Sequence, residues 1–393
     1  MQKYFGGLSR TTYLFTFVSL CSDISTEMLY PVLPIFLTQT LNASGSIVGL
    51  IDGFAQATQN VVQGFSGTLA DKLQRPKPIA LAGYFLAAIG KPLMGIAPVW
   101  QIVLAGRLLD RFGAGSRSAP RDALIAASVG EESRGRAFGL EGVGDNAGAC
   151  LGPLIAVFLL YGLHVGMRSV FYLAAIPGLL AFVLVLFVKD QRADAAAKAK
   201  LDVGLRQFPF AYWKYLLATA LFGLGMSSNA FLILRTRDIG VTLAATILIY
   251  AGFNLVAALV SYPAGALADR FGRRNAVLAA FLVYSIAYLG FALTQNVAAV
   301  AALFIFYGLY QGIFRTAGKA LATSFVPDHL RASGIGWYNA TVGILQLVAS
   351  LVAGFLWDRV GHVAVFYFGA GFAIVGCVAL VALVPQERRT IRS

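Results

Sequence analysis

Long apolar runs are the feature that most limits what this chain can fold into. Stretches long enough to cross a bilayer as a helix, about 20 residues each, recur along the whole sequence. Charged residues make up only 12% of the 393 residues, and the mean hydropathy is +0.73, whereas a soluble domain carries about 25% charged residues. The chain is therefore predicted to be an all-α integral membrane protein with little left over for a soluble domain.

The apolar runs predict twelve transmembrane helices, most of them separated by short connections. We place these helices near residues 11–39, 46–70, 78–98, 100–122, 136–161, 168–189, 212–236, 240–268, 275–294, 297–323, 332–357 and 363–385. One connection is longer, polar and rich in Ala and Lys. It divides the chain into an N-terminal six-helix bundle, a cytoplasmic linker and a C-terminal six-helix bundle, at residues 1–189, 190–211 and 212–393.

The distribution of basic residues indicates orientation and argues against a nucleic-acid partner. The net charge is +13. With twelve spans and a cytoplasmic N-terminus, however, most of the 31 Lys and Arg residues fall at cytoplasmic ends or loops, which is the positive-inside pattern. We therefore expect a multi-pass protein of the bacterial inner membrane with both termini in the cytoplasm. We also expect a monomer whose partners are membrane lipid and a small-molecule substrate, with no nucleic acid.

A charged loop signal occurs twice, at equivalent points of the two halves. Residues 64–77 read GFSGTLADKLQRPK and residues 261–274 read SYPAGALADRFGRR, so Asp71 and Asp269 lie 198 residues apart. The same spacing relates Arg117 to Arg315. Internal symmetry of this kind is typical of transporters, which place their binding site near the membrane midplane where the repeats meet.

The repeated loop resembles the signature that follows the second helix of each half in the major facilitator superfamily. The resemblance implies the fold of that family: twelve transmembrane helices in two pseudo-symmetric six-helix bundles around a central cavity. It also implies that the motif forms gate contacts between helix ends on the cytoplasmic side. The motif residues are Gly67, Asp71, Lys72, Gly265, Asp269, Arg270, Arg273 and Arg274.

A finer resemblance covers most of the chain. Residues 23–34 (DISTEMLYPVLP), residues 110–126 (DRFGAGSRSAPRDALIA) and the Tyr338-Asn-Ala run look like a widespread prokaryotic branch of that superfamily whose substrates are mostly unassigned. That branch often has Asp where this chain has Ala127, and His-Arg where it has Glu141 and Gly142. No coupling role is therefore carried over to those positions.

Ionisable and polar side chains inside the apolar runs are the candidates for function, because each is costly in a membrane unless it is paired or hydrated. Asp23 and Glu27 are four residues apart and share a helical face. The candidates for proton coupling or for the substrate cavity are Asp23, Glu27, Asp52, Arg107, Asp110, Arg111, Asp145, Tyr310, Gln311 and Arg315. Either the carboxylates titrate as proton carriers with arginine partners, or they form a static ion-pair network that fastens spans 1, 4 and 5 together.

Four further charged residues are interpreted as structural. Glu141, Arg117 and Arg121 fall near the cytoplasmic side, where a static ion pair is the favoured interpretation. Lys91 falls toward the outer end of its span, so we expect its amine to reach the interface while its stem stays in the apolar layer.

Small residues recur every four positions in the fifth span, in residues 144–153 (GDNAGACLGP). This spacing lets two helices approach closely. It also resembles the GxxxGP core of the antiporter motif of drug:proton exchangers. The match is partial, because Leu154-Ile-Ala-Val follows where that motif has glycines.

These features favour a proton-coupled secondary transporter that works by alternating access and exports a small amphipathic or cationic compound. The alternative is proton symport that takes up an anionic metabolite or a metal chelate, held by Arg107, Arg111 and Arg315. A channel or facilitator stays open if the carboxylates are static. The proton gradient would be the energy source, with no cofactor.

Other classes of protein fit the sequence less well. The three cysteines show no ligand spacing, so neither a disulfide framework nor a metal site is indicated. No Walker-type motif supports ATP-driven transport. A membrane-embedded enzyme would need a catalytic set within the spans, but His164, His329 and His362 all fall at loops. We therefore expect neither an enzyme nor a receptor without transport.

Overall fold

The structure is a computed structural model that describes residues 8–73, 75–130, 133–190, 207–327 and 330–385. Every regular element in these ranges is helical. The chain divides into two compact units, the first within residues 1–43 and 54–200 and the second within residues 44–53 and 201–393. Most of the predicted linker, residues 191–206, and both chain ends lie outside the described residues.

The first unit is built from α1 (Arg10–Glu27), most of α2 (Gly45–Leu73), α3 (Pro76–Ile96), α4 (Trp100–Ala127), α5 (Arg134–Val157) and α6 (Met167–Leu186). Ser9 begins α1, because its hydroxyl accepts a hydrogen bond from the Thr12 N–H at 3.1 Å. Pro76 begins α3, at the first helical position, where its missing N–H is no loss.

Two close helix pairs organise this unit. The α1 helix packs against α5 and α6, and α3 packs against α4 and α6. Between α3 and α4 the backbones approach so closely that a Cβ on Gly90 would lie 2.5 Å from the Gly106 carbonyl oxygen. A buried apolar cluster, with Phe15 from α1, Tyr84 from α3 and Val185 from α6, joins the pairs into one core.

The second unit is built from α7 (Phe210–Gly223), α8 (Asn229–Asp238), α9 (Leu243–Phe271), α10 (Arg273–Leu293), α11 (Val297–Ser324), α12 (Arg331–Arg359) and α13 (His362–Leu383). The α11 helix packs against α9 and α10, and α13 packs against α10 and α7.

The predicted seventh span is not one helix. It breaks between α7 and α8, at residues 224–228. Gly225 lies against α13, where an added Cβ would come within 2.5 Å of the Gly369 carbonyl oxygen. Ser228 then begins α8, because its hydroxyl accepts a hydrogen bond from the Ala230 N–H at 3.0 Å. The predicted first span is also interrupted, since α1 ends at Glu27 and the chain continues as a short turn, Leu33–Ile35, and a π-helical turn, Phe36–Thr40.

Eight of the helices in the described ranges are long and apolar enough to cross a membrane by length and composition. The four predicted spans that are missing from this set are the seventh, which is interrupted, the first, whose helix α1 carries Arg10, Asp23 and Glu27, and the second and fourth, which carry many polar side chains. Large apolar side chains are exposed on α6 and α13, which suits helices that face lipid. They include Ile176, Leu180, Val183, Ile374 and Val378.

The start of α2 belongs to the second unit, a difference from the predicted boundary at residue 189. The two carboxylate oxygens of Asp358 accept hydrogen bonds from the Gly45 and Ser46 N–H groups, each at 2.8 Å. Gly49 lies so close to α12 that a Cβ would be 2.2 Å from the Ser350 carbonyl oxygen. These contacts group residues 44–53 with the second unit.

Candidate functional site

The small residues of the fifth span hold α5 directly against α1. A Cβ would lie 2.2 Å from a carbonyl oxygen of α1 if placed on Gly144, and 2.6 Å if placed on Gly148. At Gly152 it would lie 2.9 Å from the Cβ of Glu27. The stripe therefore lets the two backbones touch, and it brings the polar side chains of both helices together.

Asp23 of α1 and Asp145 of α5 form a carboxyl pair at this interface. Their side chains are hydrogen-bonded to each other. Because an ionised carboxylate can only accept hydrogen bonds, a bond between two carboxyl groups requires a proton on one of them. Glu27 and Arg117 lie close enough to interact electrostatically with Asp23. The pair is thus a place where two carboxyl groups from different helices can share one proton.

Arg117 of α4 is fixed beside the carboxyl pair by neighbours on two other helices. Its Nη1 donates a hydrogen bond to the Ser22 hydroxyl of α1. Its guanidinium lies over the Tyr84 ring of α3, 4.4 Å from the ring centroid, a cation–π contact. The guanidinium therefore stands next to the pair as a fixed positive charge.

A second acidic site lies one helical turn from Asp145. Glu141 is buried, and its Oε1 accepts hydrogen bonds from the Ser19 hydroxyl and from Arg121 Nη1, the latter at 2.7 Å. Arg121 also binds Asp122, with Nη2 and Nε each 2.9 Å from Oδ1. Arg121 is therefore shared between a buried and a half-exposed carboxylate.

A separate cluster of charges joins α3 to α4. Asp110 is buried and contacts Lys91 Nζ at 3.0 Å, Arg107 Nη1 at 3.3 Å and Arg111 Nε at 3.0 Å. Arg111 Nη1 donates to Gln59 Oε1 at 3.0 Å. Asp110 thus serves as the common counter-ion of three cations, a role that leaves it poorly suited to carry protons.

The prediction that Lys91 reaches the membrane interface is wrong. Its side chain is only 2% exposed, and its amine donates to the Ala87 carbonyl oxygen and to Asp110, each at 3.0 Å. The glycine contacts between α3 and α4 bring Lys91 within reach of Asp110, so the amine binds inside the bundle.

The break between α7 and α8 is held by tyrosine hydroxyls of the second unit. Tyr284 donates to the Gly225 carbonyl oxygen at 2.7 Å, Tyr310 donates to Met226 Sδ at 2.9 Å, and Tyr307 donates to Asn229 Oδ1 at 2.9 Å. Asp52, from the start of α2, accepts a hydrogen bond from the Ser228 hydroxyl. Of the other predicted residues on α11, Gln311 is half-buried and Arg315 is exposed.

Eight of the ten predicted site residues thus fall into three groups, and Gln311 and Arg315 lie outside them. One group lies between α1 and α5, with Asp23, Glu27 and Asp145. A second lies between α3 and α4, with Arg107, Asp110 and Arg111. A third lies at the break of the second unit, with Asp52 and Tyr310. In the parts of the chain that the structure describes, no group of three or more His, Cys, Asp or Glu residues is placed to hold a metal ion.

The repeated loop motif is described only in part. The side chains of Gly67, Asp71, Lys72 and Asp269 lie outside the described residues. Gly265 lies within α9, where a Cβ would meet nothing within 4 Å, and Arg270 is exposed, with its guanidinium over the Phe271 ring. Arg273 donates to the Ala320 carbonyl oxygen at 3.4 Å.

One loop contact recurs in both units. Arg274 Nη2 donates to the Val381 carbonyl oxygen near the end of α13, and Lys77 Nζ donates to the Leu186 carbonyl oxygen at the end of α6, each at 2.8 Å. A basic side chain at the C-terminal carbonyls of a helix is favourable. In each unit it fastens the loop to the last helix of the bundle.

Comparison with known proteins decides the family. The family model of the Major Facilitator Superfamily matches residues 15–234 and 215–393. The chain belongs to the major facilitator superfamily. It is therefore a multi-pass membrane transporter and not an enzyme, and the predicted fold is confirmed.

Two relatives in this superfamily cover nearly the whole chain. An uncharacterized MFS-type transporter of Methanocaldococcus jannaschii, MJ1317, is 31% identical over 380 residues, which are 95% of each chain. The multidrug resistance protein MdtH of Proteus mirabilis is 25% identical over 375 residues, which are 92% of this chain and 91% of MdtH.

Two solved structures share the fold. The nucleoside transporter NupG has a TM-score of 0.79 at 15% identity, and the match covers 96% of this chain and 100% of NupG. A POT family transporter in complex with 5-aminolevulinic acid has a TM-score of 0.80 at 14% identity, with 96% of each chain covered. At this level of identity the likeness shows the fold alone.

Sequence reasoning missed several residues at these sites. Lys91 is predicted to reach the interface, although it is a buried charge bonded to α4. For Glu141 the sequence favours an ion pair, and the structure pairs it with Arg121 but also adds the Ser19 hydroxyl of α1. Ser227 and Ser228 were not singled out. A serine pair just after Gly225 inside an apolar run is a helix-start signal, and it could have indicated the break.

Proposed function

We propose that this transporter is proton-coupled, that it works by alternating access, and that the carboxyl pair of Asp23 and Asp145 carries the proton. The proposal is supported by the close approach of α5 to α1 at Gly148, where an added Cβ would lie 2.8 Å from the Asp23 Cβ, and by the interaction of the Asp23 carboxyl with Asp145. With one proton the pair carries a single negative charge. Without the proton, two negative charges face each other and Arg117 offsets only one of them, so a second cation is needed to stabilise the deprotonated pair.

Export of a small amphipathic or cationic compound follows from this chemistry. A positively charged group that approaches the pair replaces the proton, because both bind best to the same negative charge. Proton and substrate then compete for one site, and this competition couples inward movement of the proton to outward movement of the compound. The relative MdtH is a multidrug resistance protein, and this likeness and the small-residue stripe that brings α1 against α5 both support export.

Proton symport of an anionic compound is the second candidate, and one observation favours it. Arg111 is only 8% exposed, and its Nη2 has no hydrogen-bond partner among the residues that the structure describes. A guanidinium with a spare N–H edge fits a carboxylate or phosphate group. In that case the carboxyl pair would carry the proton in the same direction as the substrate.

Proteoliposomes loaded with a pH-sensitive dye test the proposal. Pooled compounds are screened with the wild type, Asp23→Asn, Asp145→Asn and the control Cys21→Ser, which changes a neutral side chain on α1. We expect compound-dependent proton flux in the wild type and in the control, and only background flux in both aspartate variants. The sign of the pH change separates antiport from symport.

Compound flux without a proton signal, unchanged in both aspartate variants, would contradict the proposal. The carboxyl pair would then be structural, and the protein would be a facilitator or a carrier of another ion.

A further inference from the structure

Glu141 lies on the same face of α5 as Asp145, one turn nearer the start of the helix. We propose that Glu141 is the residue through which the Asp23–Asp145 pair exchanges its proton with the side of the membrane predicted to be cytoplasmic. This inference rests on the proposed proton coupling and assigns its pathway. Three features of the surroundings support it.

The first feature is that protonation of Glu141 costs little free energy. In most buried ion pairs, neutralising the acid leaves a buried cation without a partner, which is strongly unfavourable. Here Arg121 also contacts Asp122 at 2.9 Å, through Nε and through Nη2. Asp122 has a side chain that is 46% exposed, whereas Glu141 has one that is 9% exposed. When Glu141 takes a proton, Arg121 keeps a carboxylate partner.

The second feature is the Ser19 hydroxyl, which suits both protonation states of Glu141. It donates to Glu141 Oε1 in the present arrangement. A hydroxyl also accepts hydrogen bonds, so the same group can receive the O–H of a protonated Glu141. The hydrogen bond between α1 and α5 is therefore kept while the proton arrives and leaves.

The third feature is that the fold does not require a charge at this position. Residues 134–139 (RGRAFG) match residues 331–336 (RASGIG), 197 residues later, and the same spacing relates Glu141 to Tyr338 in the second unit. Tyr338 is buried and stacks on Tyr215, with ring centroids 6.0 Å apart and planes at 7°. At this position the second unit packs uncharged tyrosine rings, whereas the first unit has a buried ion pair. Packing alone therefore does not require a charge here, and a function explains the ion pair better.

The groups that face Glu141 come from four helices. They are Ser19 on α1, Tyr84 on α3, Arg121 and Asp122 on α4, and Asp145 on α5. Asp145 is the group that links them to the pair, since it is hydrogen-bonded to Asp23 and also interacts electrostatically with Glu141.

The transfer balances without a further reactant. The O–H bond of the pair breaks and a new O–H bond forms on a Glu141 carboxylate oxygen. The pair thereby gains one negative charge and Glu141 loses one, so the net charge of the site is unchanged. Water on the cytoplasmic side then accepts the proton and Glu141 returns to its bond with Arg121.

The test separates substrate exchange from proton movement. Glu141→Gln and the control Val143→Thr, an exposed position on the same helix, are reconstituted in proteoliposomes. Substrate counterflow, which needs no net proton transfer, is compared with transport driven by a pH gradient. We expect Glu141→Gln to keep counterflow within about twofold and to lose roughly tenfold or more of the gradient-driven rate, since an intervening acid–base group is missing. Val143→Thr is expected to match the wild type.

Two further variants support the interpretation. Glu141→Asp keeps a titratable group and is expected to restore gradient-driven transport. Asp122→Asn leaves Arg121 to Glu141 alone, so it is expected to slow gradient-driven transport while counterflow continues.

Each failure has a distinct meaning. Gradient-driven transport at the wild-type rate in Glu141→Gln, while Asp145→Asn has lost it, would overturn this inference and leave the proposed function standing. Loss of both counterflow and gradient-driven transport in both Glu141 variants would make Glu141 structural, which also overturns it. A wild type that shows no proton movement would overturn the proposed function itself.

Discussion

Asp110 illustrates how much a single buried charge can depend on its neighbours. Three cations contact its two oxygens, and Asp110, Lys91 and Arg107 are each no more than 2% exposed. Removal of the carboxylate would leave several positive charges facing one another inside a membrane-spanning bundle. The residue therefore fastens α3 to α4, whereas the ion-pair alternative considered from the sequence joined spans 1, 4 and 5.

Asp110→Asn is expected to destabilise the first unit strongly. Breaking a buried pair by removing one partner costs about 3–5 kcal/mol, so the melting temperature in detergent should fall by many degrees. Asp238→Asn is the control, because the Asp238 side chain is 26% exposed and Arg235 keeps its hydrogen bonds to the Phe291 and Thr294 carbonyl oxygens, so a smaller loss is expected. Equal losses in the two variants would contradict a fastening role for Asp110.

The sequence predicted which residues matter at this scale better than it predicted their partners. Spacing by four residues placed Asp23 and Glu27 on one face, because helix periodicity is a local property. The partner of Asp23 is on α5, more than a hundred residues away, and no local pattern pairs them. Lys91 was misjudged for the same reason, since its environment depends on how closely α3 approaches α4.

At the scale of elements, the α1–α5 contact is what makes the carboxyl pair possible. A Cβ on Gly148 would lie 2.6 Å from the Leu20 carbonyl oxygen and 2.8 Å from the Asp23 Cβ. Neither neighbour can give way easily, because one belongs to the backbone and the other to the start of a side chain. Even a methyl group at Gly148 therefore pushes the two helices apart.

Gly148→Ala is expected to destabilise the protein by about 1–3 kcal/mol, as overpacking does, and to weaken proton coupling by separating Asp23 from Asp145. Gly142→Ala is a matched control on the same helix, because a Cβ there meets nothing within 4 Å. It is expected to be neutral or to stabilise by up to about 1 kcal/mol through helix propensity. Thermal melts of both variants and the dye assay measure these effects, and equal behaviour of the two would contradict the close-contact explanation.

The interrupted helices mark the limit of prediction at this scale. Hydropathy treated residues 212–236 as one span because apolar character continues across the break. The break depends on contacts from other helices, among them the Tyr284 hydroxyl on the Gly225 carbonyl oxygen and the Ser350 hydroxyl on the Ser228 N–H. Unwound backbone at membrane depth is tolerated only where such partners satisfy it.

At the scale of the whole molecule, the repeat was the most informative part of the sequence. The match between residues 64–77 and residues 261–274 predicted a duplicated transporter, and the family match confirms that fold. The two halves are nevertheless not equivalent in chemistry. In the described residues the carboxyl pair and the Glu141–Arg121 pair belong to the first unit, whereas the second unit places tyrosines and phenylalanines around its break. A loop motif reports common ancestry of the halves and says little about such divergence.

The predicted orientation can be checked with two single-cysteine variants in a cysteine-free background. Gly130→Cys lies in the connection between α4 and α5, and Gly166→Cys lies in the connection between α5 and α6. The distribution of basic residues predicts that the first connection is cytoplasmic and the second external. A membrane-impermeant maleimide is therefore expected to label only Gly130→Cys in inside-out vesicles. The opposite pattern would reverse the topology and the direction assigned to the Glu141 pathway.

Proton release on substrate binding is the most direct measurement of the central claim. Purified protein in weakly buffered detergent solution would be mixed with a compound found in the flux screen, and the pH change would be recorded beside Asp145→Asn. If the compound displaces the proton of the carboxyl pair, about one proton per bound molecule should be released, and the variant should release none. Binding of the compound with no proton released by the wild type, or with the same release by Asp145→Asn, would contradict the account.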